Sequence, residues 1–508
     1  MSVASFTGKI KDFCTSPGKV FAAAVGIAIF SSLCYILFFG DIHRDTAYVY
    51  AYFAREIGNG NFYDGIVEKV PMLNISLGGL LAWCGMDAVK ALALVAGFFY
   101  VAACFPLRRF LERYLSPLAA AWGCLLYATA PKLIRFSCVP LLESSRIFFI
   151  ISAVLFFFRT IENPKIKNAL LFGASAGLLA VSRGEALLAT IALLAGYPLY
   201  LLIFRRPERW KPHFAMWACA IGTAFIISSP FWVMNYVKAG YFVPDMRVVQ
   251  YYTAIKTTLS QSADSNSTVP FGQSLMTPEE GNGSWSEKAH TTFTGLLRGG
   301  YELYWLLAAI GAVVLFRKKQ LNADYLVLLG ISILQILTYF IIVSSYRYYL
   351  FLIPLFMMFT ITGVQSILEF ARRRLPEKFH AVAALPLALI LIVQVADGVK
   401  KAFSQKEKYY REVGEWIETY RQTHFPERRL RIFAPSIAEV AYWSGAKHTD
   451  EYGKLQHDPA TFSDFDLAAV HSADPKGLEK RADLELITAA PHNRKVWVFR
   501  KKSTGGAK

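Results

Sequence analysis

The sequence predicts a polytopic α-helical membrane protein followed by a small soluble α/β module. Three observations carry that prediction. The chain is 54% hydrophobic and only 18% charged over 508 residues, with a mean hydropathy of +0.34, too apolar for an ordinary soluble protein. Its apolar residues come in blocks that approach the ~20 residues a helix needs to cross a bilayer. Those blocks stop near Lys400, and mixed helix and strand signals replace them.

Windows of spanning length place about eleven transmembrane helices, some short or tilted. They are Val20–Phe39, Val89–Pro106, Pro117–Ala130, Ile147–Phe158, Ala169–Val181, Ala186–Phe204, Ala215–Val237, Leu303–Phe316, Tyr325–Val343, Tyr348–Phe370 and Ala381–Ala396. The first is too long for a signal-peptide core and no A-x-A cleavage site follows it, so it is expected to remain as a helix. Residues 1–399 are thus expected to form the membrane domain, with an external first loop at 40–88 and a long external loop at 238–301.

The net charge of +17 is distributed in short clusters between the apolar runs. Lys9, Lys11 and Lys19 precede the first helix, Arg108, Arg109 and Arg113 follow the second, and Arg159, Lys165 and Lys167 follow the fourth. The same occurs after the sixth (Arg205, Arg206, Arg209, Lys211), the eighth (Arg317, Lys318, Lys319) and the tenth (Arg372, Arg373, Arg374, Lys378). Every second loop is therefore basic, which the positive-inside rule assigns to the cytoplasm. The amino terminus is expected inside and the carboxyl terminus outside. The basic residues read as orientation signals, so no nucleic-acid partner is expected. The seven cysteines lie mostly within apolar runs without a C-x-x-C pair, which indicates neither a disulfide framework nor a metal site.

With that topology the remaining loops lie on the external side, where they bring Asp45, Lys69, Glu143, Arg183, Glu185 and Arg347 to one face of the membrane. Charged groups at this depth are costly unless they are used. Asp45 opens a helical pattern, with Tyr48 and Tyr52 on its face at i+3 and i+7. A carboxylate flanked by tyrosines at the water boundary suits a reaction site, and equally an interfacial helix. Within the long loop, 260–287 is rich in Ser, Thr, Asn and Gly and reads as a lid or as a plain flexible loop.

From 400 to 508 the pattern is that of a small external α/β domain, near the lower end of domain sizes. REVGEWIETYRQ has helical spacing with Val413, Trp416, Ile417 and Tyr420 on one side, and LRIFAP, DLAAV, LELITA and KVWVFR read as short strands. No Walker loop, G-x-G-x-x-G, H-E-x-x-H or cytoplasmic D-x-D is present, so a soluble nucleotide or nucleotide sugar is not expected as a direct substrate. The HRD at 43–45 lacks the rest of a kinase signature.

Several segments, in this order, resemble a known family: RDTAYVYAYFAREIGNGNF, EKVPMLNISLGGLLAW, YATAPKLIRFSCVPLLESSRIFFI, AGLLAVSRGEALLA, SPFWVMNYVKAGYFVPD and SYRYYLFLIPLFM. Over roughly Gly18 to Phe370 the chain resembles the GT-C class of membrane glycosyltransferases, in the branch of protein O-mannosyltransferases and lipid A aminoarabinose transferases. The resemblance implies the GT-C fold and transfer of a sugar, with inversion, from a polyprenyl-phosphate carrier to a glycan, lipid or protein acceptor at the external face of the inner membrane. The lipid-linked sugar is a co-substrate, no cofactor is implied, and metal dependence is left open.

Site residues follow from the same resemblance. Asp45 matches the family's first-loop acidic residue, the general base, with Arg44 beside it as a substrate-binding residue. Lys69 stands where members have the lysine of a K-P-P-L-like motif that contacts the carrier phosphate; here the motif reads Lys69-Val70-Pro71-Met72, without the first proline. Glu143 matches a second acidic position, assisting the base or orienting the acceptor, though a carboxylate at a helix start is also favoured by the macrodipole. Arg183 and Glu185 lie in the best-matching motif, as donor ligands or as a structural ion pair. Arg347 suits bidentate contact with a phosphate or interfacial anchoring. Asn235 and Tyr236 resemble an R-N-Y element in which Met234 replaces the arginine. A transporter or flippase is the alternative class, but it predicts midplane charges or duplicated halves, and neither is evident.

Overall fold

The computed structural model describes residues 15–502, except 39–41, 43–45, 64, 66–70, 245–248, 250–284, 301, 343–345, 375, 377–388, 390–391, 395, 398–407, 429, 435–437, 446, 449–464, 472–477 and 490–495. Among the described residues, fourteen α-helices run through the first three quarters of the chain: α1 (Pro17–Phe38), α2 (Ala51–Gly58), α3 (Met72–Trp83), α4 (Ala88–Leu111), α5 (Pro117–Thr129), α6 (Pro131–Cys138) and α7 (Glu143–Glu162). After them come α8 (Ile166–Ser182), α9 (Ala186–Tyr200), α10 (Trp210–Ala239), α11 (Trp285–Gly300), α12 (Glu302–Arg317), α13 (Ala323–Ile342) and α14 (Leu352–Arg374).

Seven described helices are long and apolar enough to cross a membrane, or eight if α11 and α12, bent by 89° at their junction, count as one broken span. The chain is a multi-pass membrane protein. The expectation of eleven spans divides accordingly. The fourth predicted span is longer than its apolar run, because α7 extends it to 20 residues by including Glu143 and Arg146 at one end and Arg159 and Glu162 at the other. The third and fifth correspond to helices of 13 and 17 residues, and α3 adds another short apolar helix within the predicted first loop. The eleventh, 381–396, lies mostly outside the described residues.

Local chemistry sets the helix ends. Asp87 accepts hydrogen bonds from the backbone N–H groups of Val89 and Lys90, both at 3.1 Å, and so caps α4. Ser116 caps α5 ahead of Pro117, whose missing N–H costs nothing in the first turn. At the far end of α10, Gly240 takes φ +76° and stops the helix, a conformation open to glycine without strain.

Packing between helices relies on close backbone approach as well as on large side chains. A Cβ at Gly363 would lie 2.0 Å from the Leu307 carbonyl oxygen, and one at Gly311 would lie 1.9 Å from that of Phe359. α12 and α14 therefore meet backbone to backbone, as membrane helices joined through small residues do. Elsewhere the interior is aromatic, with Tyr100, Tyr127, Phe157, Phe158, Phe172 and Tyr197 fully buried. Tyr100 donates to the Ala128 carbonyl at 2.9 Å, which satisfies its hydroxyl inside the bundle.

After the membrane helices, β1 (Arg431–Phe433), β2 (Lys447–His448), β3 (Leu467–His471), β4 (Leu484–Ala489) and β5 (Val496–Lys501) form a five-stranded sheet of order β2-β1-β3-β5-β4. β1 pairs in parallel with β2 and β3, while β5 is antiparallel to β3 and β4. Two helices, α15 (Lys408–His424) and α16 (Ala438–Trp443), pack on it. Val413 and Ile417 are buried against Ile432, Leu467 and Val498, with Trp416 and Tyr420 at the margin, the face that helical spacing predicts. α16 also touches the short helix α2 of the first loop: the Arg55 guanidinium stacks 4.0 Å over the Tyr442 ring.

Candidate active site

Polar residues placed by four different segments meet inside the bundle beside the start of α7. Glu143 and Arg146 are one turn apart on α7 and share a face. Arg183 and Glu185 come from the turn between α8 and α9, Gln335 and Tyr339 from one face of α13, and Arg347 and Tyr348 from the 3-10 turn Tyr346–Tyr349 that leads into α14. Arg183 donates from Nε to Glu185 Oε1 at 2.6 Å and from Nη1 to Glu143 Oε1 at 3.1 Å. Arg347 Nε lies 3.7 Å from that same Glu143 oxygen. Tyr339 donates to Glu185 Oε1 at 3.0 Å.

Arg146 holds the opposite wall. Its guanidinium donates to Tyr339 Oη and Gln335 Oε1, reaches the Tyr348 carbonyl at 3.2 Å and stacks 4.1 Å over Phe351. Gln335 in turn donates to the Glu185 carbonyl at 2.9 Å. Tyr348 lies parallel to Tyr339 with ring centroids 5.4 Å apart, and the Arg183 guanidinium sits 4.5 Å over the Tyr348 ring. Aromatic faces thus cover the cations where carboxylates do not.

Two features give this cluster chemical capacity. Among the described residues it contains three guanidinium groups, Arg146, Arg183 and Arg347, against two carboxylates, Glu143 and Glu185, an excess of one positive charge. Burial opposes the charge on Arg183, but the Glu185 and Glu143 carboxylates more than reverse that and keep it protonated. The second feature is Glu143 Oε2, which is buried and has no hydrogen-bond partner among the described residues. A buried carboxylate oxygen without a donor is expensive, and a bound hydroxyl would satisfy it.

Of the residues predicted for the site, Glu143, Arg183, Glu185 and Arg347 come together here. Arg183 and Glu185 form the ion pair that the sequence left as one of two readings, with both side chains nearly inaccessible at 4% and 1%. Arg44, Asp45 and Lys69 lie outside the described residues. Their neighbours are described: Thr46 donates from its hydroxyl to the Pro140 carbonyl at 2.9 Å, and Asn74 donates to the Leu141 carbonyl at 3.2 Å. Both bonds end on the short segment that leads into Glu143. The same stretch continues as a helix after residue 45, first as a π-turn at Thr46–Tyr50 and then as α2. Of the predicted lid at 260–287, all but its last three residues lies outside the described residues.

Sequence reasoning missed Arg146, Gln335, Tyr339 and Tyr348. Arg146 stood one turn from Glu143, and Gln335 and Tyr339 at i and i+4 in an apolar run were a usable signal. Asn235 donates to the Val243 carbonyl at 2.8 Å and fastens the end of α10. Among the described residues no group of three or more His, Cys, Asp or Glu is arranged to hold a metal.

No protein-family profile matches the sequence, and no curated protein matches it either. Solved structures do. The apo form of ArnT from Cupriavidus metallidurans aligns over 97% of this chain and 98% of its own at 13% identity and TM-score 0.60. The form bound to undecaprenyl phosphate aligns over 95% and 98% at 12% identity and TM-score 0.58. The oligosaccharyltransferase AglB from Archaeoglobus fulgidus, in complex with an inhibitory peptide and a dolichol-phosphate, aligns over 89% of this chain and 69% of its own at 12% identity and TM-score 0.56. At such identities the likeness is one of fold, and that fold is the GT-C fold of membrane glycosyltransferases.

Proposed function

We propose that this chain is an integral-membrane glycosyltransferase that moves a sugar from a polyprenyl-phosphate donor to an acceptor hydroxyl, with inversion. The observation that supports it best is the buried Glu143 cluster at one end of a GT-C bundle, in which, among the described residues, guanidinium groups outnumber carboxylates and one Glu143 oxygen has no donor. The solved relatives bound to undecaprenyl phosphate or dolichol-phosphate support the same donor class. An isoprenoid phosphate carries its charge at the membrane boundary, where an excess of guanidinium groups would hold it.

In the proposed reaction the acceptor oxygen attacks the anomeric carbon, its proton passes to a carboxylate, and the bond from the anomeric carbon to the phosphate oxygen breaks. Asp45 takes the proton as general base. Lys69, Arg347 and Arg44 hold the phosphate as its charge develops. Glu143 receives the acceptor hydroxyl on Oε2, and Arg183 with Glu185 keeps Glu143 in place. The site faces outside an inner membrane, with the amino terminus in the cytoplasm and the C-terminal sheet, as an external domain spanning 400–508, on the acceptor side. The lipid-linked sugar is the co-substrate, and the acceptor is a glycan, lipid or protein.

Transfer of label from a panel of polyprenyl-phosphate sugars to cell-envelope fractions tests this reading. Wild type is expected to transfer, and a folded Asp45→Asn variant to lose about a hundred- to ten-thousand-fold in rate. Wild-type rates in the variant would remove Asp45 from the base role. No transfer from any donor would overturn the enzyme reading in favour of a transporter or flippase.

A further inference from the structure

At the other end of the bundle, where α1 begins and α4 and α7 finish, a cavity of about 530 Å³ opens between these three helices. One wall is aromatic, made by Phe21, Phe105 and Phe148, and the rim carries Arg108, Arg109 and Arg159. Phe21 and Phe105 meet edge to face at 5.5 Å, and the Arg108 guanidinium lies 4.6 Å over the Phe21 ring. Ser152, buried on α7, marks the floor. It lies seven residues before Arg159, and Phe148 lies eleven before it, so the cavity extends about 16 Å along α7 from Arg159 toward the middle of the bundle.

All three helices are long enough to span a membrane, and Phe105 is 53% exposed, so the cavity opens sideways, toward lipid. Its charge is unbalanced. Among the described residues the ion pairs of the rim involve Glu112 alone, bonded to Arg108 at 2.8 Å and to Arg109 at 3.1 Å. Three cations against one carboxylate leave two positive charges facing a concave apolar volume. Orientation signals explain basic residues at helix ends, but they do not require a cavity of ligand size.

We propose that this cavity binds one anionic phospholipid of the adjacent leaflet. Its phosphate lies among Arg108, Arg109 and Arg159, and its glycerol and upper chain carbons lie along the phenylalanines toward Ser152. Basic pockets between membrane helices are suited to anionic headgroups, and the aromatic wall complements acyl carbons that a soluble anion lacks. The site is distinct from the Glu143 cluster: it shares no residue with it, and Phe148, its lining residue nearest to that cluster along α7, lies five residues, or about 7 Å, beyond Glu143.

Native mass spectrometry and lipid titration of the detergent-purified chain, with dioleoyl-phosphatidylglycerol and dioleoyl-phosphatidylcholine as probes, test the proposal. One phosphatidylglycerol should remain bound per chain in preference to phosphatidylcholine. The double variant Arg109→Gln with Arg159→Gln leaves the Arg108–Glu112 pair intact and should bind phosphatidylglycerol about thirtyfold more weakly, while the corresponding double lysine variant should retain it. Ser152→Leu keeps every arginine and should also weaken binding by filling the floor, which provides a readout if the double variant fails to fold. Equal binding of the two lipids, unchanged affinity in a folded double variant, or displacement of the lipid by inorganic phosphate with no effect of Ser152→Leu would each overturn it.

Discussion

α7 begins in one ionic cluster, which is buried, and ends in another, which is partly exposed, and the two are built differently. At the Glu162 end, Arg113 forks onto Glu162 with two bonds of 2.8 Å and reaches Asp324 at 3.1 Å. Asp324 also accepts from Tyr114 at 2.9 Å and from Tyr200 at 2.6 Å. All four carboxylate oxygens there have donors. At the Glu143 end, Glu143 Oε1 takes two cations while Oε2 takes no donor among the described residues, and guanidinium groups outnumber carboxylates by three to two. A closed cluster fastens α4, α7, α9 and α13 together. An open one with surplus positive charge is what an anionic substrate with a hydroxyl-bearing co-substrate needs. The separation of about 28 Å along α7 resembles the ~30 Å hydrocarbon thickness of a bilayer, so the two clusters suit its opposite boundaries.

That contrast can be attacked directly. Arg183→Met should be the most damaging single change, because it leaves Glu143 and Glu185 buried without their shared cation; breaking such a pair costs about 3–5 kcal/mol. Thermal unfolding in detergent would register it, and an unchanged melting temperature would mean that the cluster relaxes open to solvent. Arg113→Met should cost less, about 1–2 kcal/mol, because Asp324 retains two tyrosine donors and the Glu162 side chain is 43% exposed. Its transfer rate per folded molecule should match wild type. A loss of rate there would erase the functional distinction between the ends.

Arg347→Gln sharpens the comparison from the substrate side. Arg347 contacts Glu143 at 3.7 Å and the Tyr348 hydroxyl at 3.1 Å, and its side chain is 13% exposed. Loss of one charged contact to the carrier phosphate should raise KM for the donor about tenfold, with a smaller change in kcat. A variant that alters only the melting temperature would make Arg347 a structural member of the cluster.

Much of the Glu143 end was legible because its charges interrupt an otherwise apolar sequence. Glu143, Arg183, Glu185 and Arg347 fell at the ends of apolar runs on one predicted side of the membrane, and a shared side is all that loop order reveals. Whether they touch depends on helix rotation and packing. Hence the Arg183–Glu185 pair stayed one reading of two, and Arg146, Gln335 and Tyr339 went unread inside their apolar helices. Asp324 was hidden in the same way: it looks like a helix-start carboxylate until Tyr114 and Tyr200 arrive from α4's end and α9. Seven or eight of the eleven predicted spans are long enough to cross among the described residues; α5 and α8 are apolar yet have only 13 and 17 residues, because hydropathy reports composition rather than length. The sheet was easier, since alternating patterns marked four of its strands, while β2 has two residues and is too short to leave a pattern.

The most direct test exchanges a carboxylate for its amide at each end of α7: Glu143→Gln and Glu162→Gln, each assayed for sugar transfer and for melting temperature. Glu143→Gln should fold and lose transfer by at least about a hundredfold, whereas Glu162→Gln should lower the melting temperature and transfer normally once folded. Normal transfer by Glu143→Gln, or loss of transfer by a well-folded Glu162→Gln, would contradict the assignment of chemistry to one end and fastening to the other.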